Sequence, residues 1–327
     1  MTHKVIISIG RIRSWPDQRL VRTIFFFVSL RQNRVSGLAL GKYDALTGNA
    51  QMDVNLHEEK CKDALDGLVT RSLSLISLSN KVIQDAEFRE DDHLGFMGLC
   101  FLSRQIDHLQ CMVMLTHHRD AMLIARSMIE GLCMVKWAQL IPHERPLKWR
   151  AFGYIYDWRI LRLKVASGES VDPLQQEKIE SALAEYGQFF YTNEARIAHG
   201  EGRELPKDPY HKDWKCGTQI KQICESVGGS VLHREIYSTS SDWHHWGTAT
   251  MAESLSFSED KVLHTSSSAY KSATALATGI QCLIETAELV NQHLGLGKEL
   301  QLSAIHDEYL AWNKECGHLD EGVPSST

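Results

Sequence analysis

Residues 117–133 read His117-His118-Arg119-Asp120-Ala121-Met122-Leu123-Ile124-Ala125-Arg126-Ser127-Met128-Ile129-Glu130-Gly131-Leu132-Cys133. Apolar residues cover most of a helical circumference here, so the spacing predicts a helix buried on most of its sides. Arg126 and Glu130 stand four apart, one turn from each other on one face, and Arg119 lies two turns before Arg126 on the same stripe. A buried charge is costly unless it is paired and hydrogen-bonded. The segment therefore implies polar partners on a neighbouring element. Two readings follow: a buried ion pair that fixes helix register, or a polar pocket in which Arg126 binds an anion or orients Glu130.

Working outward, the helical pattern continues on both sides. Asn55 to Phe88 is amphipathic, with Leu65, Leu68, Leu73, Ile76, Leu78, Val82 and Ile83 near helical spacing. Asp91-Asp92 offers a cap for a helix to about Leu115. On its exposed or site-facing side that helix carries Arg104, Asp107, His108 and Cys111. The quoted helix runs to about Leu140, Pro142 and Pro146 punctuate, and another helix runs to about Ala166, stopped by Ser167-Gly168. Asp172-Pro173-Leu174-Gln175 combines a capping Asp, Pro at the first helical position and Gln three after the cap, and predicts a helix continuing towards Ala195. A polar loop over Gly200–Asp213 precedes shorter helices near 214–227 and 230–241. Lys261 to His293 reads as one long helix rich in Ser and Ala, suited to close approach at the bundle centre. A short helix near 299–313 follows. No alternating strand pattern stands out beyond residue 50.

These elements predict an all-α fold, an irregular multi-helix bundle with a basic N-terminal extension. The expected division is a poorly ordered extension over 1–50, a single helical domain over 51–315 and a flexible tail over 316–327. The extension is set apart by charge. Residues 1–42 hold eight Lys or Arg and one acid, leaving 27 basic against 40 acidic residues beyond it. Lys4-Val5-Ile6-Ile7-Ser8-Ile9 within it has strand character.

The 327 residues carry a net charge of −6, which argues against a protein that coats nucleic acid generally but leaves a local basic groove open. No apolar run reaches the roughly 18–20 residues that span a bilayer. The best, Thr23-Ile24-Phe25-Phe26-Phe27-Val28-Ser29-Leu30, is short, flanked by arginines and lacks a cleavage site downstream. The eight cysteines form no CxxC pair, and several sit in apolar helices, which predicts reduced core thiols in a cytoplasmic protein.

The densest group of reactive side chains is Tyr237-Ser238-Thr239-Ser240-Ser241-Asp242-Trp243-His244-His245-Trp246-Gly247. Tyr237, Ser241 and His245 stand four apart and would share a helical face. A histidine there can act as general acid, general base or ligand-binding group, with Ser and Tyr as nucleophile or hydrogen-bond donors. The plainer alternative is a helix end with capping hydroxyls and a core histidine between tryptophans. His199, in Ala195-Arg196-Ile197-Ala198-His199-Gly200, sits at a helix end and is a further candidate for the same cleft.

Arg126-Ser127-x-x-Glu130, followed far downstream by Tyr237-x-x-x-Ser241-x-x-x-His245, resembles a bacterial family known only as a domain of unknown function, number 5677. The likeness lies in scattered positions over residues 60–290. It implies a helical fold and marks Arg126, Glu130, Ser241 and His245, and it brings no established activity.

Other helical chemistries fit poorly. Ribonucleases of the HEPN type place four to six residues between an Arg and a His. Here Arg104 reaches His108 with three between, Arg196 reaches His199 with two, and Arg203 reaches His211 with seven. His306-Asp307 matches the pair of the HD phosphohydrolases, but the later Asp it would need is Asp320 in the tail. There is no HExxH, P-loop, GxSxG or GxGxxG element in a suitable context. His117-His118 diverge by about 100° on a helix, so at most one would face a given site.

The sequence therefore assigns no cofactor and no metal site. It names His245, Glu130, Arg126, Ser241 and Tyr237 as candidate catalytic residues, and His199, His244 and Arg119 as candidate ligand-binding residues. The first function expected is a helical ligand-binding or defence and stress module. The alternative is a hydrolase of phosphodiester or nucleotide substrates with His245 as general acid/base, Glu130 orienting it and Arg126 stabilising developing charge. The expected partner is a small molecule or nucleotide, not a membrane. Self-association and nucleic-acid binding stay open.

Overall fold

Small side chains set the centre of this fold. In the segment Ser272-Ala273-Thr274-Ala275-Leu276-Ala277-Thr278-Gly279, and on to Ala287, every residue is buried. A helix buried all round must satisfy its own polar groups. Thr274, Thr278 and Thr286 do so by donating to the carbonyls four residues back, at 2.9, 2.8 and 2.7 Å. Ser272 instead donates to His118 O at 3.1 Å.

The computed structural model describes residues 47–245, 247, 248, 255–258, 261–264 and 268–317. Its helices are α1 (Thr47–Gln84), α2 (His93–Met114), α3 (Ala121–Gln139), α4 (Arg145–Ala166), α5 (Pro173–Tyr186), α6 (Asn193–Gly200) and α7 (Ile220–Ser226). Next comes α8, built from Ser230–Leu232, a π-helical turn His233–Tyr237 and Ser238–His244. A two-stranded antiparallel ribbon, β1 (Leu255–Ser258) and β2 (Lys261–His264), precedes α9 (Ala269–Leu294) and α10 (Glu299–Gly317). The fold is an all-α multi-helix bundle. Helix α9 packs against α1, α2 and α3, with α10 closing over α9 and α1. The main core joins residues such as Leu68, Leu109, Met128, Leu276 and Tyr309 from these five helices. Helices α4 and α5, with the 3-10 turn Gly187–Phe190, form an outer layer with its own cluster of Ala151, Ile155 and Phe190. Helices α7 and α8 lie on α3.

Capping signals are realised. Asp92 accepts from Gly95 N at 2.9 Å and also meets His293 Nε2 at 2.8 Å, tying the start of α2 to the end of α9. Asp172 accepts from Leu174 N at 3.0 Å, with Pro173 in the first turn of α5.

Several expectations change. The long helix from Lys261 is shorter: Ser268 caps α9, and Lys261–His264 is strand paired with Leu255–Ser258. The sequence showed no convincing strand there because each strand is four residues long. The helix from Pro173 does not reach Ala195. It ends at Tyr186, and after the 3-10 turn Thr192 caps a new helix by accepting from Ala195 N at 3.2 Å. The cysteines are not uniformly core residues: Cys133, Cys224 and Cys282 are buried, whereas Cys100 and Cys111 are exposed. The strand expected at Lys4–Ile9, most of the extension over 1–50 and the tail beyond Gly317 lie outside the described residues, and helix α1 already begins at Thr47. Among the described residues, no helix is long and apolar enough to cross a membrane.

Candidate functional site

The polar groups of α3 divide into two clusters on different neighbours. Towards its C-terminal half, Lys136 pairs with Glu285 of α9, and Gln281 donates to the same carboxylate. Glu285 is 8 % exposed, so this is the buried ion pair that an apolar helix carrying charges demands. It forms between Lys136 and Glu285. Arg126 and Glu130 are not joined by an ion pair among the described residues, although they stand one turn apart. An Arg that precedes a Glu by four is also the less favourable order on a helix.

Arg126 turns instead to α8. Its Nη2 donates to Tyr237 Oη at 3.3 Å, and its Cζ lies 4.9 Å from the centre of the Tyr237 ring. The half-buried guanidinium thus rests on an aromatic face, an arrangement worth about 0.5–2 kcal/mol. Tyr237 is itself buried and stacks on His233, with ring centres 4.9 Å apart and planes 17° from parallel. Both rings belong to the π-helical turn, where Ser238 N–H bonds to His233 O. Such widened turns recur at functional sites. Helix α8 runs antiparallel to α3, because Tyr237 meets Arg126 while Trp243 Nε1 donates to Asp120 Oδ1 at 3.0 Å. One turn further along, the same register carries His233 and Glu130 towards the same end. Helix α7 completes that end. Burial lowers the pKa of His233, Lys221 adds to the lowering and Glu225 opposes it. The negative charge of Glu130 is felt at the Cys224 thiol.

The structure thus brings Arg126, Glu130 and Tyr237 to one junction of α3, α7 and α8. It places the other candidates differently. Ser241 is half-buried, and its described hydrogen bond is through its carbonyl, which accepts from His245 N at 3.0 Å. The buried hydroxyl of this helix is Ser240, which donates to Ile236 O at 2.8 Å. His244 and His245 are exposed at the end of α8 with their rings 4.9 Å apart. Arg119 is buried at 9 % exposure, in the turn before α3 rather than on its helical stripe. His199 is exposed on α6, its ring 5.6 Å from Tyr191 in the outer layer. Of the polar side chains expected on α2, Arg104, Asp107 and Cys111 are exposed and His108 is half-buried.

His233 is the residue that sequence reasoning missed. It stands four before Tyr237, so the stripe Tyr237–Ser241–His245 extends back to it by the same step. His306, tested above as part of a metal pair, faces Glu288 with Nδ1 3.5 Å from Oε1, and this hydrogen bond raises its pKa. Among the described residues, no group of three or more His, Cys, Asp or Glu is placed to hold a metal ion. No family model, no curated protein and no solved structure matches the chain.

Proposed function

We propose that the chain is a ligand-binding protein whose site is the junction of Arg126, Glu130, His233 and Tyr237, and that its ligand is a small anionic molecule of the nucleotide class. The observation that carries this reading is the state of Arg126. The guanidinium is half-buried and has no carboxylate partner among the described residues, and Tyr237 occupies only one of its donors. A charge held this way favours an incoming phosphate or carboxylate, which can accept two parallel hydrogen bonds. The half-buried His233 ring beside Tyr237 gives a flat ligand a surface to stack on, and Glu130 supplies an acceptor. Of the positions that the resemblance marks, Arg126 and Glu130 belong to this junction, while Ser241 and His245 lie further along α8.

Phosphodiester or nucleotide hydrolysis is the second reading, and one observation favours it. Burial and Lys221 hold His233 below its ordinary pKa, so it is neutral near pH 7 and suited to accept a proton. In this reading His233 takes the role that spacing alone gave to His245.

A thermal-shift panel tests the binding proposal. AMP, ADP and inorganic phosphate should each raise the unfolding temperature, nucleotides most, while adenosine gives little. A panel in which adenosine matches AMP, or in which no anion has any effect at millimolar concentration, would remove it.

A further inference from the structure

The junction of α3 and α7 holds a pair of thiols with no part in the site described above. Cys133 on α3 and Cys224 on α7 are both fully buried. Their closeness is fixed by Gly229, which follows α7. A side chain at Gly229 would place its Cβ 2.9 Å from Cys133 Sγ, 3.2 Å from Cys224 O and 3.5 Å from Cys224 Cα. The Cys133 sulfur and the Cys224 backbone therefore border the same gap, which a side chain at residue 229 would fill. The neighbouring Cys133 thiol lowers Cys224 below the ordinary thiol range, while the Cys224 sulfur and burial raise Cys133. The asymmetry divides the pair into an attacking and a resolving sulfur.

We propose that Cys133 and Cys224 are a modification site, oxidised by hydrogen peroxide to a reversible disulfide that ties α7 to α3. The Cys224 thiolate attacks the peroxide oxygen, which breaks the O–O bond, leaves a sulfenic acid on Cys224 and releases water. The Cys133 sulfur then displaces the sulfenic oxygen, which leaves as a second water with the Cys133 proton. In total two S–H bonds are lost, one S–S bond forms, and the two electrons and two protons reduce the hydrogen peroxide to water. Access is short. Helix α7 is a single layer with Lys221, Gln222, Glu225 and Ser226 exposed, and it is flanked by Gly217 and Gly228, both in left-handed conformations. Cys282, fully buried on α9 and raised well above the thiol range chiefly by burial, stays reduced. The proposal does not depend on which ligand the Arg126 site takes.

The test uses the full chain. Reduced protein is treated with one equivalent of hydrogen peroxide, its remaining thiols are alkylated in acid denaturant, and it is digested without reduction. The expected product is a peptide joining Cys133 to Cys224, lighter than the sum of its parts by two hydrogens and separated again by dithiothreitol. The Cys282→Ala variant should give the same link. In the Cys133→Ser variant the link is lost, and Cys224 is trapped instead as a dimedone adduct. Recovery of Cys133 and Cys224 as alkylated thiols while exposed Cys100 and Cys111 oxidise would overturn the proposal. So would a link in which Cys282 replaces either partner. The wild-type map alone decides between these outcomes if a variant fails to fold.

Discussion

Arg126 and Lys136 lie on the same helix and meet opposite fates, decided by what faces them. Lys136 faces Glu285, in an element where every neighbour is buried, and becomes half of an ion pair. Arg126 faces Tyr237 and keeps donors for another partner. Removing one member of the buried pair leaves the other charged and unmatched. Lys136→Met should therefore cost about 3–5 kcal/mol, and adding Glu285→Leu should recover much of that. Urea denaturation of the single and double variants measures both values; a double variant no more stable than the single would show that the pair is not the source of the loss. The sequence made the need for a polar partner legible, since Arg126 and Glu130 stand in an apolar helix. Which charge meets which partner was not legible, because Lys136 and Glu285 are 149 positions apart. His233 stands beside Arg234 and Glu235, and those charges give no sign that its ring stacks on the buried Tyr237.

At the scale of elements, α9 shows why small residues hold the centre. A Cβ at Gly279 would overlap Met112 Cε and lie 3.1 Å from Leu109 Cδ1 and 3.2 Å from Met128 Sδ. Alanine normally favours a helix over glycine by about 1 kcal/mol. Here the crowding from α2 and α3 should outweigh that gain, and Gly279→Ala is expected to destabilise by about 1–3 kcal/mol. A denaturation midpoint at or above the wild type would mean that α2 and α3 yield more readily than this packing implies. The run Ser266-Ser267-Ser268-Ala269 and the alanines after it made the central position of α9 readable. Asp92 and Asp172 likewise announced α2 and α5. The break at Tyr186 and the short ribbon at Leu255–His264 were not readable. The first is set by the packing of Phe190 against Ala151 and Ile155, and the second by pairing of strands only four residues long.

Over the whole molecule, α10 is joined to α9 by Tyr309 Oη, which donates to Ala277 O at 3.2 Å, and by His306 facing Glu288. The hydrogen bond to Glu288 raises the folded pKa of His306. Its stabilisation is therefore complete below the unfolded value of about 6.5 and is lost as pH rises through the folded value. The stability gap between wild type and His306→Gln should be widest near pH 6 and close towards pH 9, about the range over which a raised histidine titrates. A gap that is constant or widens with pH would contradict this assignment. The account rests most heavily on Arg126 as the anion-binding group of the α3–α7–α8 junction, and calorimetric titration of AMP into wild type and Arg126→Gln tests that directly. Loss of a charge-assisted contact of about 1.5–3 kcal/mol predicts affinity weakened by roughly 10- to 100-fold in the variant, with its unfolding temperature lowered by no more than a few degrees through the lost contact with Tyr237. Equal affinity in the two proteins would contradict the account.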